Sequence, residues 1–151
     1  MASVAMPRAA IAGDVDDLRR LVESLIRLPA ANFSNSASSL PLVRALAAME
    51  DRTSLETVTE AFVGWSRGAG RVVSDAGRGL LARIDGKAEE SARILASVEE
   101  QLRAFGRHYD AACIALDLAL SLEAAGEDGS AEAARTRANE LLEPLGCVYP
   151  Y

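Results

Sequence analysis

The chain has 151 residues, half of them apolar and a quarter charged, with a net charge of −6. That balance suits one globular domain with a real core. The acidic surplus argues against nucleic acid or an anionic membrane as the main partner, because binding phosphates needs clustered cations. Charge is spread unevenly: residues 1–66 carry −2, residues 67–107 carry +2 and residues 108–151 carry −6. Alanine (29) and leucine (19) dominate, aromatics number seven, and both leading residues favour helix. Two cysteines 34 residues apart make no disulfide framework and predict a reduced, cytoplasmic setting. The start "MASVAMPRAAIAGD" lacks the apolar core of a signal peptide.

Helical periodicity dominates, and no segment sustains the alternation of a strand. Residues 14–28 put Leu18, Leu21, Val22, Leu25 and Leu28 on one face, with Asp14 as the cap and Pro29 as the stop. "PAANFSNSASSLP", residues 29–41, reads as a loop or linker and marks the expected boundary between a 1–40 segment and a 41–151 repeat domain. A short helix over 41–50 turns Leu42, Leu46 and Met49 inward. "TSLE", Thr53 to Glu56, matches a capping box and opens a helix with Leu55, Val58, Phe62 and Trp65 on its core side.

Four further helices follow with a regular beat. Their core faces are Val73, Ala76, Leu80 and Ile84; then Ala88, Ala92, Leu95, Val98, Leu102 and Phe105; then most of "AACIALDLALSL"; then Ala134, Ala138, Leu141, Leu142 and Leu145. Glycines 86, 106, 126 and 146 stand twenty residues apart, each where a helix should end in a left-handed turn. A two-helix unit is therefore forty residues, and at that offset Leu80 pairs with Leu120, Leu102 with Leu142 and Phe105 with Leu145. Such periods indicate stacked helical hairpins. Pro144 falls in the last turn, where it removes a backbone hydrogen bond and shortens or bends the helix.

Chemical signals are sparse. His108, the only histidine, has Asp110 nearby but no nucleophile motif, and reads as a turn or surface residue. Cys113 reads as a buried thiol and Cys147 as packing near a helix end; one histidine and no CxxC give no zinc site. "DGKAEE" is not a phosphate loop, because Leu81 and Ala88 stand where glycine and a hydroxyl residue are required. Arg67, Arg71 and Arg78 share a helical stripe that reads as a solvated face. Asp117 is the oddity: with Asp110 and Ser121 it forms a narrow polar stripe on a helix that is apolar almost all round, and such a helix is packed on several sides.

From about residue 72 the chain resembles tetratricopeptide-type (TPR-like) repeats. The resemblance is carried by "GRGLLARIDGKAEESARILASVEEQLRAFG", "RHYDAACIALDLALSLEAAGE" and "SAEAARTRANELLEPLG". It is closest to the repeat regions of large bacterial LuxR-type ATP-dependent regulators and of multidomain adenylate cyclases, and covers about half the chain. It departs from them in the longer "GEDGSAE" turn and in Pro144, and it lacks their ATPase, helix-turn-helix and cyclase motifs. The resemblance implies an all-α fold, a short right-handed α-α superhelix of about seven helices in antiparallel hairpins. It also implies that the first helix of each pair lines a groove. On that footing the candidate binding residues are Asp110, Cys113, Asp117, Leu120 and Ser121. The expected function is a non-catalytic protein-interaction or regulatory scaffold with no cofactor or metal, binding a protein partner or a second copy of itself. The alternative is a small-molecule sensor with a closed pocket near Asp117 and Trp65.

Overall fold

A computed structural model describes Arg20, residues 39–63 and residues 69–146. Apart from Arg20, the expected helix over 14–28 lies outside these residues, as do most of the 29–41 linker, Trp65, Arg67 and Cys147. The described part is all-α: α1 Ser39–Ala48, α2 Arg52–Val63, α3 Ala69–Ile84, α4 Ala88–Ala104, α5 His108–Ala124, α6 Asp128–Leu142 and a 3-10 turn Glu143–Leu145. No strand occurs among the described residues. The chain divides into two compact units, Met1–Gly77 and Arg78–Tyr151.

In the first unit α1 buries Leu40, Leu42, Val43 and Leu46. Met49, expected inside, lies in the turn after the helix and is only half-buried. That turn places Glu50 at φ 54°, with Asp51 N–H donating to the Leu46 carbonyl at 3.0 Å. α2 opens two residues earlier than the TSLE box predicts, at Arg52 rather than Ser54. The cap is Asp51: its Oδ1 accepts the Ser54 amide at 3.2 Å and its Oδ2 the Ser54 hydroxyl at 2.9 Å. A carboxylate at the positive end of a helix makes stronger, charge-assisted bonds than the Thr53 hydroxyl offers. Asp51→Ala should therefore cost about 1 kcal/mol, read from the urea midpoint; an unchanged midpoint would show that the cap carries no weight. Leu55, Val58 and Phe62 point inward as the spacing predicts. Thr59 is buried beside them and its hydroxyl donates to the Leu55 carbonyl at 2.7 Å. Against it lies Gly77 of α3, where a Cβ would come 2.1 Å from the Thr59 Oγ1.

The second unit holds the end of α3 and helices α4 to α6. Its core residues follow the predicted faces: Leu80, Leu95, Val98 and Leu102 are 0% exposed, and each such leucine contributes roughly 1.5–3 kcal/mol by leaving water. Gly79 lets α3 approach Leu95 and Ile94 of α4. α5 is packed on several sides, with Ala111, Ala112, Ile114 and Ala115 all 0% exposed. Ala112 and Ala115 meet Ala138 and Leu142 of α6.

The glycine beat is built as one repeated turn. Gly86, Gly106 and Gly126 have φ of 75°, 70° and 79°. In each turn the residue after glycine donates its N–H five residues back: Lys87 to Ala82, Arg107 to Leu102, Glu127 to Leu122, at 2.8 to 2.9 Å. The glycine itself donates three back, to Arg83, Arg103 and Glu123. This is the Schellman closure, which satisfies carbonyls left open at a helix end and needs a left-handed residue. Gly146 repeats the left-handed conformation at φ 64°, after a 3-10 turn that begins where Pro144 forbids further α-helix. Phe105 and Leu145, expected inside, are 59% and 47% exposed. Both lie beyond the last residue of their α-helix, Phe105 as the cap of α4 and Leu145 in the 3-10 turn, so the 3.6-residue period no longer points them inward.

Candidate functional site

The polar stripe of α5 becomes an internal seam. Asp117 is 7% exposed, with its Oδ1 3.6 Å from Arg83 Nη1 of α3. The same Arg83 nitrogen lies 3.4 Å from the Asp117 carbonyl. Ser121, 0% exposed, donates to that carbonyl at 3.2 Å. Its hydroxyl also meets the Ser91 hydroxyl of α4 at 2.8 Å. A hydroxyl has one proton, so while Ser121 donates to Asp117 it is Ser91 that donates to Ser121. A carboxylate and two hydroxyls are thus buried with partners, which removes most of the cost of taking them from water. Among the described residues no buried side-chain nitrogen or oxygen lacks a partner.

The remaining sequence candidates go to different places. Asp110 is ion-paired to Arg107 at 2.8 Å in the first turn of α5. Cys113 is a buried thiol, 4% exposed. Leu120 is 50% exposed. The structure therefore brings Asp117 and Ser121 together and separates the other three. His108 stands exposed at the start of α5, while Asp110 is held by Arg107. Lys87 caps α4, whose first turn carries Glu89 and Glu90, carboxylates that repel a phosphate. No group of three potential metal ligands is found among the described residues.

A second buried charge was missed. Glu99 of α4 is 4% exposed, and Arg137 of α6 grips it with a two-pronged fork, Nε to Oε1 at 3.1 Å and Nη2 to Oε2 at 3.0 Å. Arg103 lies 4.0 Å from the same carboxylate. The Glu99 hydrogen bond raises the Arg137 guanidinium above its ordinary pKa, against the opposing pull of partial burial. The signal was present: Glu99 shares the 95, 98, 99, 102 arc with three core residues, and Ser91 shares the 88, 91, 92, 95 arc. A polar residue at a core position needs a partner from another helix.

Above α5, between α4 and α6, runs a groove of about 520 Å³ that is open to solvent. Beneath it lie Leu118 of α5, a core residue only 3% exposed, and Leu122, which is half-buried. Ala92 and Ala96 line the α4 wall and Ala133 the α6 wall. Charges stand at the rim: Glu89 and Arg93 on one side, Glu127 and Arg137 on the other. Among the described residues Glu89, Arg93 and Glu127 make no ion pair, whereas Arg137 is tied to Glu99. Small wall residues give a partner's backbone room to approach, and the apolar surface within reach is that of Leu122, Ala96 and Ala133. No family model, curated protein or solved structure matches the chain.

Proposed function

We propose that this chain is a non-catalytic protein-interaction scaffold, the helical-repeat part of a regulatory protein, and that the α4–α6 groove is its docking surface. The observation that supports this reading is the groove itself: exposed alanines on both walls, half-buried Leu122 beneath them, and Glu89, Arg93 and Glu127 at the rim outside any ion pair among the described residues. A small-molecule sensor would want a closed pocket with convergent polar groups. Asp117, the group best suited to that role, is turned to Arg83 instead. No helix among the described residues is long and apolar enough to cross a membrane, and the reading carries the cytoplasmic setting expected from the cysteines.

Panning a library of helical peptides against the whole chain tests it. Ala133→Trp fills the groove from an exposed position, so folding should be preserved and checked by circular dichroism. Selected peptides should bind the variant at least about tenfold more weakly than the unsubstituted chain, a loss of about 1.4 kcal/mol. If every selected peptide binds both forms equally, the groove is not the docking surface.

A further inference from the structure

α4 and α6 occupy equivalent places at the forty-residue offset, but only part of their surface agrees. Ser91, Val98 and Leu102 of α4 are buried, and so are their counterparts Ala131, Ala138 and Leu142 of α6. The adjoining arc differs. On α4 it holds Ala92, Leu95 and Glu99, spaced three and four residues apart and 6%, 0% and 4% exposed. Two of these meet the hairpin that follows: Ala92 borders the groove beside Leu118 and Leu122 of α5, and Glu99 is gripped by Arg137 of α6. On α6 the same three positions are Glu132, Arg135 and Asn139. Glu132 and Asn139 are exposed, while Arg135 is ion-paired to Glu123 of α5 and lies 3.7 Å from Glu132.

We infer that α6 is the closing helix of this run of hairpins: its outer face meets water and takes no further hairpin, whether from the same chain or a second copy. A hairpin seated there would draw Arg135, Glu132 and Glu123 out of water, and desolvating charges costs more than such pairs return. It would also find Asn139 where α4 offers Glu99. An arginine in the place of Arg137 would then lose the carboxylate that its two-pronged fork requires. Little apolar area is left on that arc to offset the entropy of ordering two more helices. A polar end keeps a helical repeat from offering an apolar face to other molecules. Pro144 adds a second stop, since it stands where α4 has Ala104 and the α-helix there gives way to a 3-10 turn. None of this depends on the docking reading of the groove, which lies on the opposite side of α6, toward α4.

The test extends the whole chain with a second copy of residues 107–146 placed directly after Gly146. Both extended chains carry Pro144→Ala in the first copy, so that the junction can turn as the earlier ones do. One keeps the native outer face of α6. The other carries Glu132→Ala, Arg135→Leu and Asn139→Glu in the first copy, which rebuilds the arc of α4. These three positions are exposed or half-buried, so the substitutions should leave the helix in place, as circular dichroism of the unextended variant would check. Limited trypsin digestion with mass measurement reads whether the added hairpin is docked, because cleavage tracks the population of the open form. On the native face the added hairpin should be trimmed at least about tenfold faster than on the rebuilt face. Equal resistance on both faces would mean that native α6 accepts a hairpin after all. Equally fast loss from both would mean that the polar arc is not what turns a hairpin away. Either result overturns the inference.

Discussion

Gly77→Ala should destabilise the first unit by about 3 kcal/mol, the upper part of the usual range for overpacking a tight contact. The new Cβ would sit 2.1 Å from Thr59 Oγ1 and 3.0 Å from both Thr59 Cβ and Cγ2. Thr59 has little freedom to turn away. Its hydroxyl is engaged with the Leu55 carbonyl at 2.7 Å, and a β-branched side chain in a helix has few χ1 choices. The strain must pass into the backbones of α2 and α3. Thr59→Ala removes the hydroxyl and the methyl, so the double variant should recover most of the loss. Urea unfolding of the two single variants and the double completes a cycle. A loss below about 0.5 kcal/mol for Gly77→Ala would mean that the close approach of α2 to α3 is not a real constraint.

Arg137→Ala should cost about 3 kcal/mol, the low end of the penalty for orphaning a buried charge. Glu99, 4% exposed with Arg137 in place, would lose its two-pronged partner and keep only Arg103, 4.0 Å away. Two features keep the figure at the low end: Arg103 can move closer, and the Arg137 side chain is itself 37% exposed, so solvent already screens part of the pair. Arg137→Lys should fall between, since an ammonium cannot make the two-pronged fork. The Glu99→Leu, Arg137→Leu double variant should return close to the original stability, because no charge remains to be satisfied. If the double variant is as unstable as Arg137→Ala, the pair contributes more than its own satisfaction. Arg137 itself adds no pH dependence near neutrality. Its folded pKa is raised, so as far as its own titration goes the contribution is full below the ordinary arginine range and is lost as pH rises through the folded value, provided Glu99 stays ionised.

The fold of α3 to α6 was legible because each helix carries a strong apolar stripe and each ends at a glycine that takes a left-handed turn. Errors cluster at helix ends. Phe105 and Leu145 continue the stripe in sequence but lie past the last α-helical residue, and the cap is Asp51, two residues before the Thr53 of the TSLE box. The candidate site was less legible for a different reason. Asp110, Asp117 and Ser121 share one face of α5, and a single helix cannot reveal which neighbour that face meets. The partners of Asp117 and Ser121 are Arg83 and Ser91, thirty-four and thirty residues away. The groove depends on three helices at once, and its walls are alanines, which read as helix formers in any sequence. Glu99 with Arg137 was the readable exception, two residues short of the forty-residue offset.

The three matched turns at Gly86, Gly106 and Gly126 also bear on how a chain of this kind changes length. Because every turn has the same hydrogen bonds and nearly the same φ, a segment copied from one turn to a later one meets a junction it already fits. Forty residues, such as 87–126, carry one up and one down helix, so a tandem duplication of them preserves both helix direction and the face presented to the core. Twenty residues do not: a single extra helix reverses the direction of everything after it. Growth or loss by whole hairpins is the change this architecture absorbs most readily, and each added hairpin would add two more pairs of like-directed helices.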